Sequence, residues 1–241
     1  MHLSTRICAT RRRAAWQNDR RRMRVTAVSV GLPREVKWRG RTVLTSIFKE
    51  PVAGPVAVER LNLAGDRQSD LTVHGGADKA VYVYPAEHYA FWRQKLGIAD
   101  LPSGSFGENL TTEGLHEASV QIGDRLRIGT ASFMVTQPRM PCYKLALRFD
   151  RLEMVKWLLE SGRTGFYLSV AREGALTAGD TIGLEREQGS TLTVADVTSL
   201  YARDAANQEL LKRATEVSAL PESWREYFRE RLWEPDSAEG E

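Results

Sequence analysis

The segment Gln137-Pro-Arg-Met-Pro-Cys-Tyr-Lys144 holds the residue types best suited to chemistry. Pro138 ends a predicted strand, and Cys142 follows a second proline with Arg139 and Lys144 close by. A short helix beginning at that proline would place the thiol at its N-terminus, where the helix dipole and the cations favour the thiolate. A thiolate attacks electrophiles and binds metals, whereas a lone cysteine is more commonly a buried structural residue. The residues alone leave both interpretations open.

A second polar segment, residues 65–79, joins two predicted strands. It contains Gly65-Asp-Arg-Gln-Ser-Asp70 and His74-Gly-Gly-Ala-Asp-Lys79. The paired glycines allow the backbone to approach a ligand closely, and Arg67, His74 and Lys79 can bind phosphate. Most Gly-rich polar loops are simple turns, and the chain has neither a Walker A motif nor a Gly-x-Gly-x-x-Gly motif. Taken alone, this loop therefore indicates an anion site only weakly.

A third segment, Gly104-Ser-Phe-Gly-Glu-Asn-Leu110, places Glu108 and Asn109 after a glycine at a strand boundary. Without further information, the pattern favours a turn in which the Asn side chain bonds the backbone.

The histidines bear on two other kinds of site. His74, His88 and His116 share no spacing typical of a zinc site, and the body has one cysteine, so zinc is excluded. A protease-type dyad of Cys142 with His74 stays open, because such partners meet only in space.

The elements that must position these residues are mostly short strands. Alternating apolar segments broken by Gly and Pro predict compact antiparallel β structure. The predicted strands cover residues 25–30, 36–47 (a hairpin turning at Arg39-Gly40), 56–63, 80–84, 131–137, 166–170 and 191–197. Period-two alternation puts Gln137 on the apolar face that carries Phe133 and Val135.

Helices are predicted between and after these strands. One opens at Pro85 and closes at Gly97, and another is ended by Gly162. Towards the C-terminus, a short piece near Leu200, a helix capped by Asp204 and a helix opened by Pro221 predict a three-helix unit.

Charge separates a tail from a body. The 241 residues carry a net charge of +3, but residues 1–24 hold eight arginines and one acid, which leaves −4 for residues 25–241. A body with no cationic excess argues against a nucleic-acid-binding surface there, although a local anion pocket remains compatible. We expect a disordered Arg-rich tail (1–23), a β-barrel domain (24–195), a three-helix domain (196–235) and a disordered end (236–241).

Composition and cysteine content indicate the cellular compartment in which the protein is expected. Two cysteines, Cys8 and Cys142, cannot build a disulfide framework, and a secretory signal is not recognisable at the start of the chain. No apolar run approaches the roughly 18 residues that span a bilayer. A cytoplasmic protein is expected.

The three segments, in this order, resemble a MOSC domain, named for the C-terminal domain of molybdenum cofactor sulfurase. The motifs are Gly-Asp-x-Gln…His-Gly-Gly-x-x-Lys-Ala, Phe-Gly-Glu-Asn-Leu and Gln-Pro-Arg-x-Pro-Cys. The chain is most similar to the YiiM-like group, in which a mainly β MOSC barrel with a few peripheral helices precedes a small three-helix domain. The resemblance covers about residues 23–233. One departure is Ser169, where this group is expected to have Arg.

The resemblance implies a molybdenum cofactor of the molybdopterin type, with Cys142 as metal ligand and catalytic residue. It implies that Arg67, His74, Lys79 and Arg139 bind the anionic cofactor and that Gln68, Asn109 and Gln137 orient it. Glu108 and Asp70 are expected to brace loops, or a cation, rather than donate protons. The implied activity is reduction of N-hydroxylated small molecules, such as hydroxylaminopurines or amidoximes, with electrons from a flavoprotein reductase. A homodimer is also possible.

Three alternatives stay open. Cys142 can instead carry sulfur as a persulfide, or act as a nucleophile, without metal. The protein can be a cofactor-binding or delivery module without turnover. The arginine tail can bind nucleic acid.

Overall fold

The computed structural model describes residues 23–69, 75–189, 191–202 and 207–233. The predicted tail up to residue 22, the end at 236–241, Asp70, His74 and the helix cap at Asp204 lie outside the described residues.

The fold is dominated by twelve short strands in the described part of the chain. They are β1 (Arg24–Val30), β2 (Arg34–Trp38), β3 (Arg41–Thr45), β4 (Glu50–Pro51), β5 (Val56–Val58), β6 (Val81–Pro85), β7 (Leu110–Glu113), β8 (Arg125–Ile128), β9 (Ala131–Pro138), β10 (Phe166–Arg172), β11 (Gly174–Leu176) and β12 (Ile182–Glu185). Eight of them form one curled sheet in the order β12-β8-β9-β10-β6-β7-β1-β4. The other four form two separate antiparallel pairs, β2 with β3 and β5 with β11.

Curling brings distant strands of the sheet together. Arg24 at the start of β1 forms an antiparallel bridge with Thr181, just before β12. The amide of Ile182 also donates to the carbonyl of Met23 over 2.8 Å. The sheet is therefore a half-barrel in which the start of β1 contacts the start of β12. This confirms the predicted barrel-type fold with a few helices.

The predicted hairpin at residues 36–47 is confirmed as β2 and β3. Its turn residues, Arg39 and Gly40, both have positive φ angles, of 50° and 76°. Two left-handed residues in a row are typical of the tight turn whose twist matches that of antiparallel strands. The predicted strand at 56–63 is shorter, because β5 ends at Val58 and the chain returns to bridge Val58 with Leu63.

Six α-helices and a short 3-10 helix at Ala77–Lys79 complete the described structure. The α-helices are α1 (His88–Leu96), α2 (Tyr143–Phe149), α3 (Met154–Ser161), α4 (Val194–Ala202), α5 (Gln208–Glu216) and α6 (Glu222–Trp233). Helix α1 begins three residues later than predicted, since Pro85 still pairs with Thr112 at the end of β6. β6 and β7 are parallel neighbours, and α1 lies in the crossover that a parallel pair requires.

The predicted strand at residues 191–197 is wrong, because α4 begins at Val194. Alternating Thr and apolar residues favour a strand, but the side chains of Thr193 and Asp196 satisfy each other's backbone amides at 3.1 and 2.9 Å. This reciprocal arrangement is a capping box, which starts a helix. Only Thr193 keeps strand-like pairing, as a bridge to Gln121.

Two apolar cores hold these elements together. The larger lies inside the curled sheet and extends to buried residues of the C-terminal helices, including Leu211, Ala214 and Phe228. The smaller is rich in aromatic residues, among them Tyr84, Trp92 and Phe106, and packs α1, α2 and α3 beside the sheet. No helix within the described residues has both the length and the apolar character needed to cross a bilayer.

Candidate functional site

Cys142 caps the N-terminus of α2, four residues after β9 ends at Pro138. The amide of Leu145 donates to the carbonyl of Cys142 over 2.9 Å, which closes the first turn. The thiol is partly exposed and lines a cleft of about 590 Å³. The prediction that the thiol lies at the start of a short helix is confirmed.

The cleft around Cys142 is strongly cationic. Its wall includes four basic side chains and, among the described residues that line it, one acidic side chain: Lys49, Lys79, Arg139, Lys144 and Asp66. These cations come from separate parts of the chain, whereas the body as a whole carries a net charge of −4. The positive charge is therefore concentrated locally, as an anionic ligand requires.

Arg139 is the most deeply placed of these cations, with 5% of its surface exposed. Its guanidinium carbon lies 5.6 Å from the centre of the Tyr82 ring. One of its nitrogens, Nη1, is buried and has no hydrogen-bond partner among the described residues. A buried guanidinium nitrogen left unpaired costs free energy, which an anionic group in the cleft would recover.

Asp66 organises one wall of the cleft. Its carboxylate accepts hydrogen bonds from the amide of Gly31 at 2.9 Å and from Asn109 Nδ2 at 2.9 Å, and it forms an ion pair with Lys49 Nζ. All of these groups are buried or nearly so. One carboxylate thus joins three stretches of chain that are far apart in sequence.

Burial shifts the protonation of several groups in the wall. It lowers the pKa of Lys49 and of Lys79, because removal from water disfavours an ammonium ion. It raises the pKa of Tyr82 and of Tyr167, so both phenols stay neutral near pH 7. Lys144 Nζ donates to the hydroxyl of Ser69 over 2.9 Å.

The structure brings together most, but not all, of the residues expected to bind the cofactor. Gln68, Lys79, Asn109 and Arg139 line the cleft with Cys142. Asn109 is fully engaged in the wall, since its Oδ1 accepts from the amide of Tyr82 at 3.0 Å. Arg67 is exposed and is not among the lining residues. His74 lies outside the described residues.

Gln137 occupies a different place from the one expected of an orienting ligand. It is buried, but it does not line the cleft. Its Nε2 donates to the carbonyl of Asp78 at 3.3 Å, and its Oε1 accepts from Trp224 Nε1 at 2.7 Å. Its amide therefore connects β9 to α6 and to the turn before β6.

Glu108 braces a loop, as expected. Its buried carboxylate accepts from the amides of Gly104 and Phe106 at 2.8 and 3.0 Å, and from the hydroxyls of Tyr89 and Thr111. Burial is the main cause of its raised pKa, and these hydrogen bonds oppose the shift.

Sequence reasoning missed several residues of the wall, among them Lys49, Tyr82 and Tyr167. Tyr82 and Tyr167 are paired residues of β6 and β10, and they reach the cleft because these strands are neighbours. The local sequence around Lys49, shortly before Pro51, does not predict a functional role. Lys49 is recognised as part of the site only through its tertiary contact with Asp66. Asp66, by contrast, belongs to the Gly-Asp motif noted above.

Ser169 lies two residues beyond Tyr167 on β10, opposite Met134. It does not line the described cleft. The cleft therefore has its four cations without a basic residue at this position.

A second cleft of about 1440 Å³ adjoins the first, and both are lined by Ser69 and Lys144. Its wall includes Trp38 from β2 and Tyr143, the residue after Cys142. The two rings stack with centres 6.2 Å apart and planes 26° from parallel. This aromatic pair stands beside the thiol-bearing cleft.

Comparison with protein-family models gives two matches. A MOSC domain model matches residues 70–183, and a model described as YiiM-like, 3-alpha helix domain matches residues 192–233. A crystal structure of YiiM from Geobacillus stearothermophilus superposes with a TM-score of 0.74 at 35% identity, covering 87% of this chain and 99% of that one. The chain belongs to the YiiM-like MOSC family.

Curated relatives agree with this family assignment. YflK of Bacillus subtilis is 40% identical over 210 residues, covering 87% of this chain and 95% of YflK. YiiM of Escherichia coli is 34% identical over 189 residues, covering 78% of this chain and 84% of YiiM. A Gibberella moniliformis protein named "Reductase" is 30% identical over 80% of this chain, but the match covers 35% of that longer protein. MOSC domains are associated with the molybdenum cofactor, and this YiiM-like chain has its motif cysteine in a cationic cleft.

Proposed function

We propose that this protein is a molybdenum-cofactor-dependent oxidoreductase that reduces N-hydroxylated small molecules. The observation that carries the proposal is the cleft itself, in which the thiol of Cys142 shares one wall with four basic side chains. The MOSC family match and the distant relative named a reductase also support an oxidoreductase function.

The donor set fits a molybdenum cofactor of the molybdopterin type. A cysteine thiolate is a soft ligand that suits a transition metal in a pterin cofactor. Arg139 Nη1 is buried without a partner among the described residues, so an anionic cofactor group can satisfy it. Lys79 and Lys144 add positive charge on the same wall.

The reaction needs two electrons and two protons, since N–O cleavage releases an amine or amidine nitrogen and water. When bound, the cofactor supplies the two-electron redox chemistry, while the chain supplies ligation, charge and shape. Burial lowers the pKa of Lys79, so its Nζ gives up a proton more readily than an exposed lysine does. Because Lys79 also lines the cleft with Cys142, we assign proton delivery in the cleft to Lys79 Nζ.

The substrate would enter through the open cleft beside Cys142. The stacked rings of Trp38 and Tyr143 offer flat apolar faces to a planar ring system. Arg39 and Arg41 border the same cleft and add hydrogen-bond donors. Planar N-hydroxylated compounds, such as hydroxylaminopurines and aromatic amidoximes, suit these walls best.

Electrons must come from another protein in this proposal. The chain shows no sequence motif for flavin, nicotinamide or an iron–sulfur cluster. A separate flavoprotein reductase, acting in the cytoplasm, is our proposed partner.

The test is to make the protein in a host that synthesises the pterin cofactor, then measure molybdenum and turnover together. We expect about one molybdenum per chain, and reduction of a hydroxylamino substrate when a flavoprotein reductase is supplied. Cys142→Ser should lose most of both. A Cys142→Ser protein that keeps molybdenum and normal turnover would overturn the assignment.

Other results would favour other functions. Tight cofactor binding with no turnover would support a delivery module. A persulfide trapped on Cys142 in metal-free protein would support a sulfur carrier.

A further inference from the structure

A second group of metal-binding side chains lies outside the Cys142 cleft. His88 is the first residue of α1, and His116 and Glu117 lie in the loop between β7 and β8. One ligand atom from each of the three lies within 4.8 Å of the others. Within the described residues, this group shares no lining residue with the Cys142 cleft. The spacing of histidines along the sequence excluded zinc, but the fold joins two of them to a carboxylate.

The fold holds two of these ligands in place. Glu117 is 4% exposed, and its Oε1 accepts from the amide of Gly165 at 2.7 Å. Its Oε2 lies 2.8 Å from Nε2 of His88. The His88 ring packs edge-on against Tyr84, with ring centres 5.4 Å apart. Side chains fixed by their neighbours lose little freedom when they bind an ion.

The other side of the group is open to solvent. His116 and Glu87 are partly exposed, and Nε2 of His116 lies 3.4 Å from Oε1 of Glu87. Both border a cleft of about 800 Å³, which gives an ion a route of entry. Arg163 also borders this cleft, but its guanidinium lies over the Phe91 ring and donates to the carbonyl of Ser161.

The charges of the group suit a divalent cation. Two neutral imidazoles and two carboxylates, Glu117 and Glu87, would balance a charge of +2. Imidazole nitrogen with carboxylate oxygen is a common donor set for zinc, which takes four ligands in a tetrahedron.

We propose that His88, His116 and Glu117 form a binding site for a divalent transition metal, with zinc as the best match and Glu87 as a neighbouring carboxylate that helps to balance its charge. On binding, the ion replaces the proton that Nε2 of His88 shares with Glu117. The site is structural. It ties the start of α1 to the β7–β8 loop, and the carbonyl of Glu117 continues the connection by accepting from the amide of Ala195 in α4 at 3.0 Å.

The experiment titrates zinc chloride into the full, untagged chain after treatment with a chelator, using calorimetry and thermal unfolding. The double variant Cys8→Ser/Cys142→Ser serves as the parent, so that neither thiol of the chain can take up zinc. We expect one zinc per chain, a rise in Tm, and the intense visible absorption of a four-coordinate ion when cobalt replaces zinc.

His116→Ala is the decisive variant, because this side chain is partly exposed and its loss should leave the fold intact. We expect it to weaken zinc binding by about 100-fold and to abolish the rise in Tm. Glu87→Gln should weaken binding by about 10-fold, whereas the matched exposed control Glu160→Gln should not. Circular dichroism checks that each variant is folded.

Two results would overturn the proposal. One is a folded parent chain, lacking both thiols, that binds no zinc at millimolar concentration. The other is a His116→Ala chain that binds zinc as tightly as its parent, which would assign the ion to other ligands. Neither result bears on the molybdenum proposal, because that proposal is tested at Cys142.

Discussion

Trp224 in α6 donates a hydrogen bond of 2.7 Å from its indole nitrogen to Oε1 of Gln137, near the end of β9. Gln137 also donates to the carbonyl of Asp78, so the strand that leads to Cys142 is held from two sides. The C-terminal helices thus contact the segment that presents the thiol.

Trp224→Phe should measure how much the hydrogen bond to Gln137 contributes to stability. The change keeps an aromatic ring but removes the donor and leaves a buried amide oxygen unpaired. We expect the free energy of unfolding to fall by about 1 to 2 kcal/mol in urea denaturation. Trp157→Phe, in α3 and away from this contact, is the control. Equal losses in the two variants would show that the hydrogen bond contributes nothing specific.

Arg139→Met should affect cofactor binding much more than the stability of the cofactor-free protein. Because Nη1 of Arg139 is buried without a partner among the described residues, the cofactor-free variant should lose no more than the contact of the guanidinium with the Tyr82 ring, about 1 kcal/mol. Its molybdenum content should fall at least about 10-fold, since the anionic cofactor loses a buried cation. Thermal unfolding and elemental analysis measure the two effects, with exposed Arg125→Met as the control. A variant that unfolds easily yet keeps its molybdenum would contradict this prediction.

Glu108 should make stability depend on pH in a defined direction. Its pKa is raised in the folded protein, mainly by burial, so the folded chain holds this proton more tightly than the unfolded chain does. Its contribution to stability is then greatest below the unfolded pKa, about 4.5, and is lost as pH rises from there through the folded pKa.

Comparison with Glu108→Gln isolates this contribution, because the other titrating groups are common to both proteins. The variant should be less stable by about 1 to 3 kcal/mol at pH 7, since its amide NH₂ faces groups that are themselves donors. The stability difference should widen as pH falls towards 4.5, as measured by urea denaturation across this range. A difference that instead narrows with falling pH would refute the assigned direction.

Tyr143→Ala should alter substrate selection. The variant breaks the stacked pair with Trp38, and each lost aromatic contact is worth about 1 kcal/mol. We expect KM for an aromatic amidoxime to rise about 5-fold to 10-fold, with KM for a small aliphatic hydroxylamine unchanged. Leu44→Ala, in the same cleft wall but outside the aromatic pair, serves as the control. A parallel rise for both substrates would argue against a stacking role.

Local patterns allowed several elements to be predicted. The turn at Arg39-Gly40 and the position of Cys142 at the head of α2 follow from short-range signals, namely a glycine turn and two closely spaced prolines.

The predictions that were wrong or incomplete have two causes. Some depend on tertiary contacts, and one comes from a competing local signal. The segment 191–197 has strand-like alternation, but a capping box at Thr193 begins a helix there. Lys49 joined the cleft because Asp66, 17 residues away, supplies its counter-charge. Gln137 was correctly placed on an inward face, but its partner Trp224 lies 87 residues further along and could not be inferred from period two.

The shared carboxylate of Asp66 also governs how this wall of the cleft can move. It receives hydrogen bonds from residues 31, 49 and 109 at once, so displacing any one of these strands or loops leaves a buried charge with fewer donors. Opening by one segment alone is therefore unfavourable, and the wall should open only when all three segments separate. In hydrogen exchange, the amide of Gly31 should then behave as one of the slowest in the molecule, although it lies in a loop.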